Sequence, residues 1–338
     1  MSFPVYIISM KRLVKPLLAW YAANHRVLPW RSDPQPYHVW LSEIMLQQTR
    51  VDTVIPYYER FLKELPTVQD LAAVPEERLL KLWEGLGYYS RARNLQKAAR
   101  MIGEKFPDTY AELRKLPGVG EYTAGAIASI AFGLPEPAVD GNVLRILTRV
   151  NGIFRDITEP KLKEEFREAL RKVYPPENCG DFTQALMELG ATVCLPNGEP
   201  ACLLCPWREF CYTAKNNCWQ DIPVKKASKP RKVEKRIVLI ALCNGKTALH
   251  RRPGKGLLAN LWEFPNVLEG EPLPFTGEEY LKLEAKHIFS HIEWHMTGIF
   301  VNIPEETKDF EWVKIADLQE KYALPSAFNV FRKQLLKG

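Results

Sequence analysis

The stretch Leu116-Pro117-Gly118-Val119-Gly120-Glu121-Tyr122-Thr123-Ala124-Gly125-Ala126 constrains this chain more than any other. It reads as the end of one helix, a glycine hairpin and the start of a second helix. Gly118 and Gly120 are free to take positive φ and to let the backbone approach a partner closely. The second helix then presents its unpaired N–H groups and the positive end of its dipole to an anion. A hairpin between helices with phosphate as its natural ligand suits a grip on a DNA backbone that reads no sequence, with Gly118, Val119 and Gly120 in contact. The same residues also suit an ordinary helix–helix connection with a glycine cap. Other segments have to decide.

At 338 residues the chain is long enough for two domains with sizeable cores. Its 46% hydrophobic and 25% charged content describes a soluble globular protein. No uninterrupted apolar run reaches the about 18 residues that a membrane-spanning helix requires. Lys11 and Arg12 follow the mildly apolar start instead of preceding it, which is the wrong order for a secretory signal; a cytoplasmic protein is expected. The net charge of +6 is local. Residues 225–236 hold Lys225, Lys226, Lys229, Arg231, Lys232, Lys235 and Arg236 against Glu234, which accounts for all of it. That run is a solvated linker, a DNA-facing segment, or both.

The first two thirds read as helical. Residues 10–24 form a helix, followed by an extended piece, Arg26-Val27-Leu28-Pro29-Trp30-Arg31, in which Pro29 disfavours helix. Tyr37 to Arg50 reads as a helix closed by Gln47-Gln48-Thr49, polar side chains suited to entering a duplex. Within it Glu43 has Val39, Trp40, Leu46 and Gln47 as its helical neighbours. Desolvation among three apolar groups raises a carboxyl pKa, as a general acid near neutral pH requires. Several helices fill 57–115, with Pro56, Pro66, Pro75 and Pro107 marking boundaries. Gly85-Leu86-Gly87-Tyr88-Tyr89-Ser90-Arg91-Ala92-Arg93 is a second glycine-rich connection, aromatic and basic, suited to wedging into nucleic acid. Asp140 precedes a helix over Val143–Val150, where the dipole favours its ionised form. One carboxyl pushed up and another held down is the pairing of a general acid with a stabiliser of developing positive charge. Each carboxyl taken alone also has a structural explanation, as a rim Glu and a capping Asp.

Cys194, Cys202, Cys205 and Cys211 follow a helix over 182–193 with the spacing C-x7-C-x2-C-x5-C. Four thiolates so close imply a structural metal or cluster, zinc or iron–sulfur, and the spacing alone does not choose. Cys179, Cys218 and Cys243 are spare. Past the linker the hydrophobic period becomes two. Arg236–Cys243 and Lys246–Arg252 flank Asn244-Gly245, a hairpin signal. Ile292, Trp294 and Met296 alternate with polar residues in a further strand. Pro325 opens a terminal helix carrying Phe328, Phe331 and Leu335 on one face. The expected organisation is an all-α domain over 1–221, a basic linker over 222–235 and a small α+β domain over 236–338.

Together, Ser42-Glu43-Ile44-Met45-Leu46-Gln47-Gln48-Thr49, the hairpin, Val139-Asp140-Gly141-Asn142-Val143 and the cysteine loop resemble the MutY family of adenine DNA glycosylases. That family shares the helix-hairpin-helix superfamily with endonuclease III, and the resemblance covers nearly the whole chain. It implies a multi-domain protein: a helix-hairpin-helix glycosylase domain with one [4Fe–4S] cluster, then a Nudix-like domain. Glu43 matches the acid that protonates flipped adenine and later handles water, and Asp140 matches the carboxylate that stabilises the oxocarbenium-like sugar. Tyr122 and Asn142 match supporting polar groups. Arg26, Leu28, Trp30, Arg31, Leu46, Val51 and Glu188 match the adenine pocket. Gln48 and Tyr88 match residues that enter the duplex near the partner base. Phe289, Ser290 and His291 match the loop that senses 8-oxoguanine.

The resemblance further implies a monomer acting on duplex DNA with adenine opposite 8-oxoguanine or guanine. Tyr122 stands where endonuclease III-like enzymes carry a Schiff-base lysine, so base removal without efficient β-lyase cleavage is expected. No Gly-x5-Glu-x7-Arg-Glu-x2-Glu-Glu box is present, which argues against Nudix hydrolysis. The first cysteine gap is one residue longer than usual in the family, and Asn197-Gly198 is a natural turn to absorb it. The rival readings are a bifunctional glycosylase/lyase and a non-catalytic lesion-binding protein.

Overall fold

The computed structural model describes residues 4–226 and 230–337, with side chains from Met10 onward; Lys229 of the basic run lies outside the described residues. In chain order the helices are α1 (Pro4–Asn24), α2 (Pro29–Ser32), α3 (Pro36–Leu46), α4 (Val51–Glu64), α5 (Val68–Ala73), α6 (Glu76–Leu82), α7 (Ser90–Met101), α8 (Tyr110–Leu113), α9 (Glu121–Phe132), α10 (Gly141–Asn151), α11 (Pro160–Arg171), α12 (Cys179–Thr192) and α13 (Tyr212–Asn216). Strands β1 (Lys232–Cys243), β2 (Lys246–Arg251), β3 (Trp262–Glu263), β4 (Asn266–Leu268), β5 (Glu278–Ile288), β6 (Ile292–Asn302) and β7 (Glu311–Lys314) follow, and α14 (Asn329–Leu335) ends the described chain. Two compact units result. One comprises residues 1–62, 67–69 and 97–227, and the other 63–66, 70–96 and 228–338.

The first unit is helical because its apolar residues recur at helical spacing. Val143, Ile146, Leu147 and Val150 of α10 are all buried, in one core with Leu13 and Leu17 of α1, Phe166 and Leu170 of α11, and Phe182, Leu186 and Leu189 of α12. Burying each such side chain contributes roughly 1.5–3 kcal/mol. α9, rich in Ala and Gly, packs against both α3 and α12. Small side chains permit that close approach.

Several local expectations are corrected. Gly118 takes a left-handed φ of 78°, but Gly120 is extended, with φ −81° and ψ −178°, as the N-cap of α9. Pro29 does not exclude helix; it opens the single turn of α2 at the first helical position, where its missing N–H has no intrahelical partner to lose. α3 stops at Leu46 instead of reaching Arg50, because Gln47 turns out of the helix with a ψ of 109° and Gln48 follows with a left-handed φ of 58°. Pro56 lies inside α4 and marks no boundary.

The second unit carries a sheet in the order β3-β2-β1-β6-β5, with β4 paired to β1 and β7 to β2. β1 and β2 form the antiparallel hairpin expected at Asn244-Gly245, whereas β1 and β6 run parallel over their whole length. The alternation in β6 buries Ile292, Trp294 and Met296 in a core with Phe328, Phe331 and Leu335. β1 begins at Lys232, inside the stretch expected to be linker. The start of that stretch is held in the helical unit, where Ile157 N–H donates to the Val224 carbonyl at 2.9 Å.

Candidate active site

A cleft of about 550 Å³ opens in the helical unit, lined by residues from α2, α3, α4, α9, α10, α11 and α12 and their flanking turns. Glu43, Tyr122, Asp140 and Asn142 all face it. So do Arg26, Leu28, Trp30, Arg31, Leu46, Val51 and Glu188, with Gln48 and Thr49 also on its wall. Sequence reasoning thus selected residues that fold together from positions up to 162 apart.

Glu43 is only 5% exposed. Burial pushes its carboxyl up to about 7; the Tyr122 hydroxyl and Arg31 oppose the rise and Asp140 adds to it. The Tyr122 hydroxyl donates to Glu43 Oε2 at 2.5 Å and also lies 3.0 Å from Met187 Sδ. Burial, with both carboxylates nearby, holds the Tyr122 phenol protonated, well above its usual range.

Asp140 is the N-cap of α10. Its Oδ1 accepts from Val143 N–H at 2.7 Å and its Oδ2 from Asn142 Nδ2 at 2.8 Å. The cap was expected; a lowered pKa was expected with it. The second expectation fails. Burial raises the Asp140 carboxyl, and the hydrogen bonds from Val143 and Asn142 and the charge of Arg145 only moderate that rise. Desolvation outweighs the helix terminus here.

Glu188 is the opposite case. Burial alone would raise it, yet Arg26 and Arg31 hold it down at about 2. Arg26 Nε donates to Oε1 and Arg26 Nη2 to Oε2, both at 2.8 Å, and Arg31 Nη2 reaches Oε2 at 2.8 Å. Arg31 Nη1 donates to the Arg26 carbonyl at 2.8 Å, so the two arginines and the carboxylate form one rigid wall. Trp30 stands edge-on to Tyr58, with 5.5 Å between ring centroids.

Sequence reasoning missed Met187, Gln184 and Lys163, which also line the cleft. Spacing of four along α12 from Gln184 to Glu188 was a usable signal for Gln184. It also missed Arg145 and Arg149. Arg145 donates to Asn142 Oδ1 at 2.8 Å, to the Gly190 carbonyl at 2.7 Å and to the Cys194 carbonyl at 2.9 Å. A Cβ on Gly190 would sit 2.6 Å from Asn142 Cβ, so only glycine lets α12 approach the start of α10 this closely. Arg149 lies 3.3 Å from Cys194 Sγ and donates to the Leu195 carbonyl at 2.9 Å and the Ile222 carbonyl at 2.7 Å. α10 therefore carries Asp140 at one end and ties to the cysteine loop along its length.

Cys194, Cys202, Cys205 and Cys211 line one cavity together with Arg149 and Arg208. Gly198 takes a left-handed φ of 79°, and Ala201 N–H closes the long first gap on the Val193 carbonyl at 3.0 Å. Among the described residues no three His, Cys, Asp or Glu side chains converge on a single ion position. Four thiols around one cavity are a donor set for either a zinc ion or an iron–sulfur cluster. Burial pushes the Cys205 thiol up to about 12.

In the second unit Tyr88, Phe289, Ser290 and His291 share a cavity of about 480 Å³ with Arg93 and His287. The hydroxyls of Tyr88 and Ser290 are 3.3 Å apart. Gly118, Val119 and Gly120 are not part of either cavity; they form the turn before α9.

Residues 41–173 match the family described as HhH-GPD superfamily base excision DNA repair protein, and residues 237–334 match the NUDIX domain. The adenine DNA glycosylase of Rattus norvegicus is 38% identical, the alignment covering 82% of this chain and 68% of that protein. That of Buchnera aphidicola subsp. Schizaphis graminum is 36% identical, covering 85% and 86%. Among solved structures, a thermostable thymine-DNA glycosylase is similar at 27% identity and a TM-score of 0.57, covering 62% of this chain and 97% of that one. An endonuclease III in a non-covalent DNA complex is similar at 27% identity and a TM-score of 0.54, with the same coverage.

Proposed function

The chain belongs to the adenine DNA glycosylase family, and from that premise we propose that it hydrolyses the N-glycosidic bond of adenine mispaired with 8-oxoguanine or guanine in duplex DNA, without lyase cleavage. The observation that carries this reading is the buried Glu43, raised to about 7 and bonded to Tyr122, in one cleft with Asp140. Flipping an adenine out of the stack costs a few kcal/mol, and Gln48 is a side chain suited to entering the duplex near the partner base. The flipped base enters between Trp30, Leu28, Leu46 and Val51. The Glu188 carboxylate, fixed by Arg26 and Arg31, accepts from its exocyclic amine.

Glu43 gives its proton to adenine N7. The C1′–N9 bond breaks, its electron pair leaves with the base, and positive charge develops on the sugar. Asp140, kept in place by Val143 N–H and Asn142, faces that charge. Water then adds to C1′ and returns a proton to Glu43. Tyr122 supplies no amine, so no imine with the abasic sugar forms at that position. Gly118, Val119, Gly120 and Thr49 are proposed DNA contacts. Tyr88 with Phe289, Ser290 and His291 is the proposed 8-oxoguanine reader, supported by the cavity they share.

Cys194, Cys202, Cys205 and Cys211 would hold one [4Fe–4S] cluster, whose contribution when bound is a cross-link of the loop after α12. Glu43→Gln tests the reading against mere lesion binding. It should bind a mispaired duplex like the wild type and release adenine at least roughly 10²-fold more slowly. Equal binding with no release by either protein would make this a recognition protein.

A further inference from the structure

Glu84 lies between two cations of its own unit. Its carboxylate pairs with Lys81 Nζ at 2.5 Å and with the Arg332 guanidinium, and none of the three side chains is more than 18% exposed. Lys81 Nζ also donates to the Tyr322 carbonyl at 3.0 Å and lies 3.5 Å from the Leu318 carbonyl. Arg332 Nη2 is steadied by Asn329 Oδ1 at 3.0 Å. Lys81 is at the end of α6, Glu84 begins the connection to α7, and Arg332 is on α14. The triad thus fastens a helical segment to the last helix of the sheet fold.

The connection that starts at Glu84 carries Tyr88. Its backbone is left-handed at Gly85, Gly87 and Tyr88, with φ of 99°, 70° and 45°. A residue with a Cβ resists that region and stays there only where its surroundings over-determine it. Trp83 Nε1 donates to the Gly87 carbonyl at 3.1 Å and Arg91 Nη2 to the Leu86 carbonyl at 2.9 Å. These bonds shape the loop, and further contacts hold its two ends. Lys81 and Glu84 anchor the entry, and Arg93 Nη1, donating to the Ala259 carbonyl at 2.7 Å, anchors the exit. Between the two anchors Tyr88 reaches Ser290.

We propose that Glu84 is a positioning residue for lesion discrimination: held by Lys81 and Arg332, it seats Tyr88 against Ser290 so that two loops distant in sequence form one base-reading cavity. The proposal rests on the 8-oxoguanine reading above. It separates two jobs, with the acid and the adenine pocket in one unit and the Glu84 staple acting only on what lies opposite the adenine.

The test is single-turnover adenine release from duplexes carrying adenine opposite 8-oxoguanine or opposite guanine, by the wild type, Glu84→Gln, Arg332→Gln and Arg332→Lys. The two Gln variants should lose at least about tenfold of the 8-oxoguanine-over-guanine rate ratio. Their release opposite guanine should stay near wild type, which also reports that the helical unit is folded. Arg332→Lys should recover most of the ratio. A structural role alone would lower both rates together, and that outcome overturns the proposal, as does an unchanged ratio in Arg332→Gln. A wild type that does not distinguish the two duplexes overturns the 8-oxoguanine reading itself. If a variant loses release altogether, hydrogen exchange at residues 85–91 decides. Faster exchange there, with Glu121–Phe132 unchanged, supports the staple, and unchanged exchange overturns it.

Discussion

The Tyr122 hydroxyl donates to Glu43 Oε2 over 2.5 Å inside a cleft from which Glu43 is almost wholly excluded from water. That bond favours the carboxylate, because it is made to the charged form. It therefore works against the burial that holds the Glu43 proton near pH 7. Tyr122→Phe removes the donor, so the Glu43 pKa should rise further. An acid acts while protonated, so the falling limb of the single-turnover pH–rate profile should move to higher pH. A limb that stays in place would detach Tyr122 from the acid.

Asp140→Asn separates capping from charge. An Asn side chain still accepts from Val143 N–H, so α10 stays capped and stability should change by less than about 1 kcal/mol. The negative charge facing the sugar is lost, and adenine release should fall by roughly 10²–10³-fold. Thermal melting beside single-turnover rates checks both halves.

Glu188 makes the fold pH-dependent in a definite direction. Its folded pKa of about 2 lies below the ordinary carboxyl value, so its contribution is present above that ordinary value and disappears as pH falls toward 2. Glu188→Gln should cost roughly 1.5–3 kcal/mol near neutral pH, as expected for hydrogen bonds to a charged group. Denaturation at descending pH should show the gap between wild type and variant closing.

The cysteine loop predicts iron. Purified protein should carry about four irons per chain and no stoichiometric zinc. Cys205→Ser should lose that iron and lower stability by roughly 3 kcal/mol or more. One zinc per chain would contradict the cluster.

The helical unit was legible in the sequence where periodicity and capping act locally. Asp140 as an N-cap and Glu43 among apolar neighbours could be placed from four-residue windows. The pKa direction of Asp140 could not, because it follows from burial in the folded cleft, which no local window contains. Gly120 and Pro29 misled for a related reason: each permits an unusual backbone without requiring it. The Tyr88–Ser290 contact spans 202 residues and depends on residues 70–96 packing with the sheet fold, which nothing in their own spacing announces.

The most direct measurement is single-turnover reaction of a duplex carrying adenine opposite 8-oxoguanine, with each time point divided and only one half treated with alkali. Strand breaks confined to the alkali-treated half are predicted, since Glu43 and Asp140 release the base and Tyr122 cannot form an imine. Breaks of equal yield in the untreated half would contradict the account.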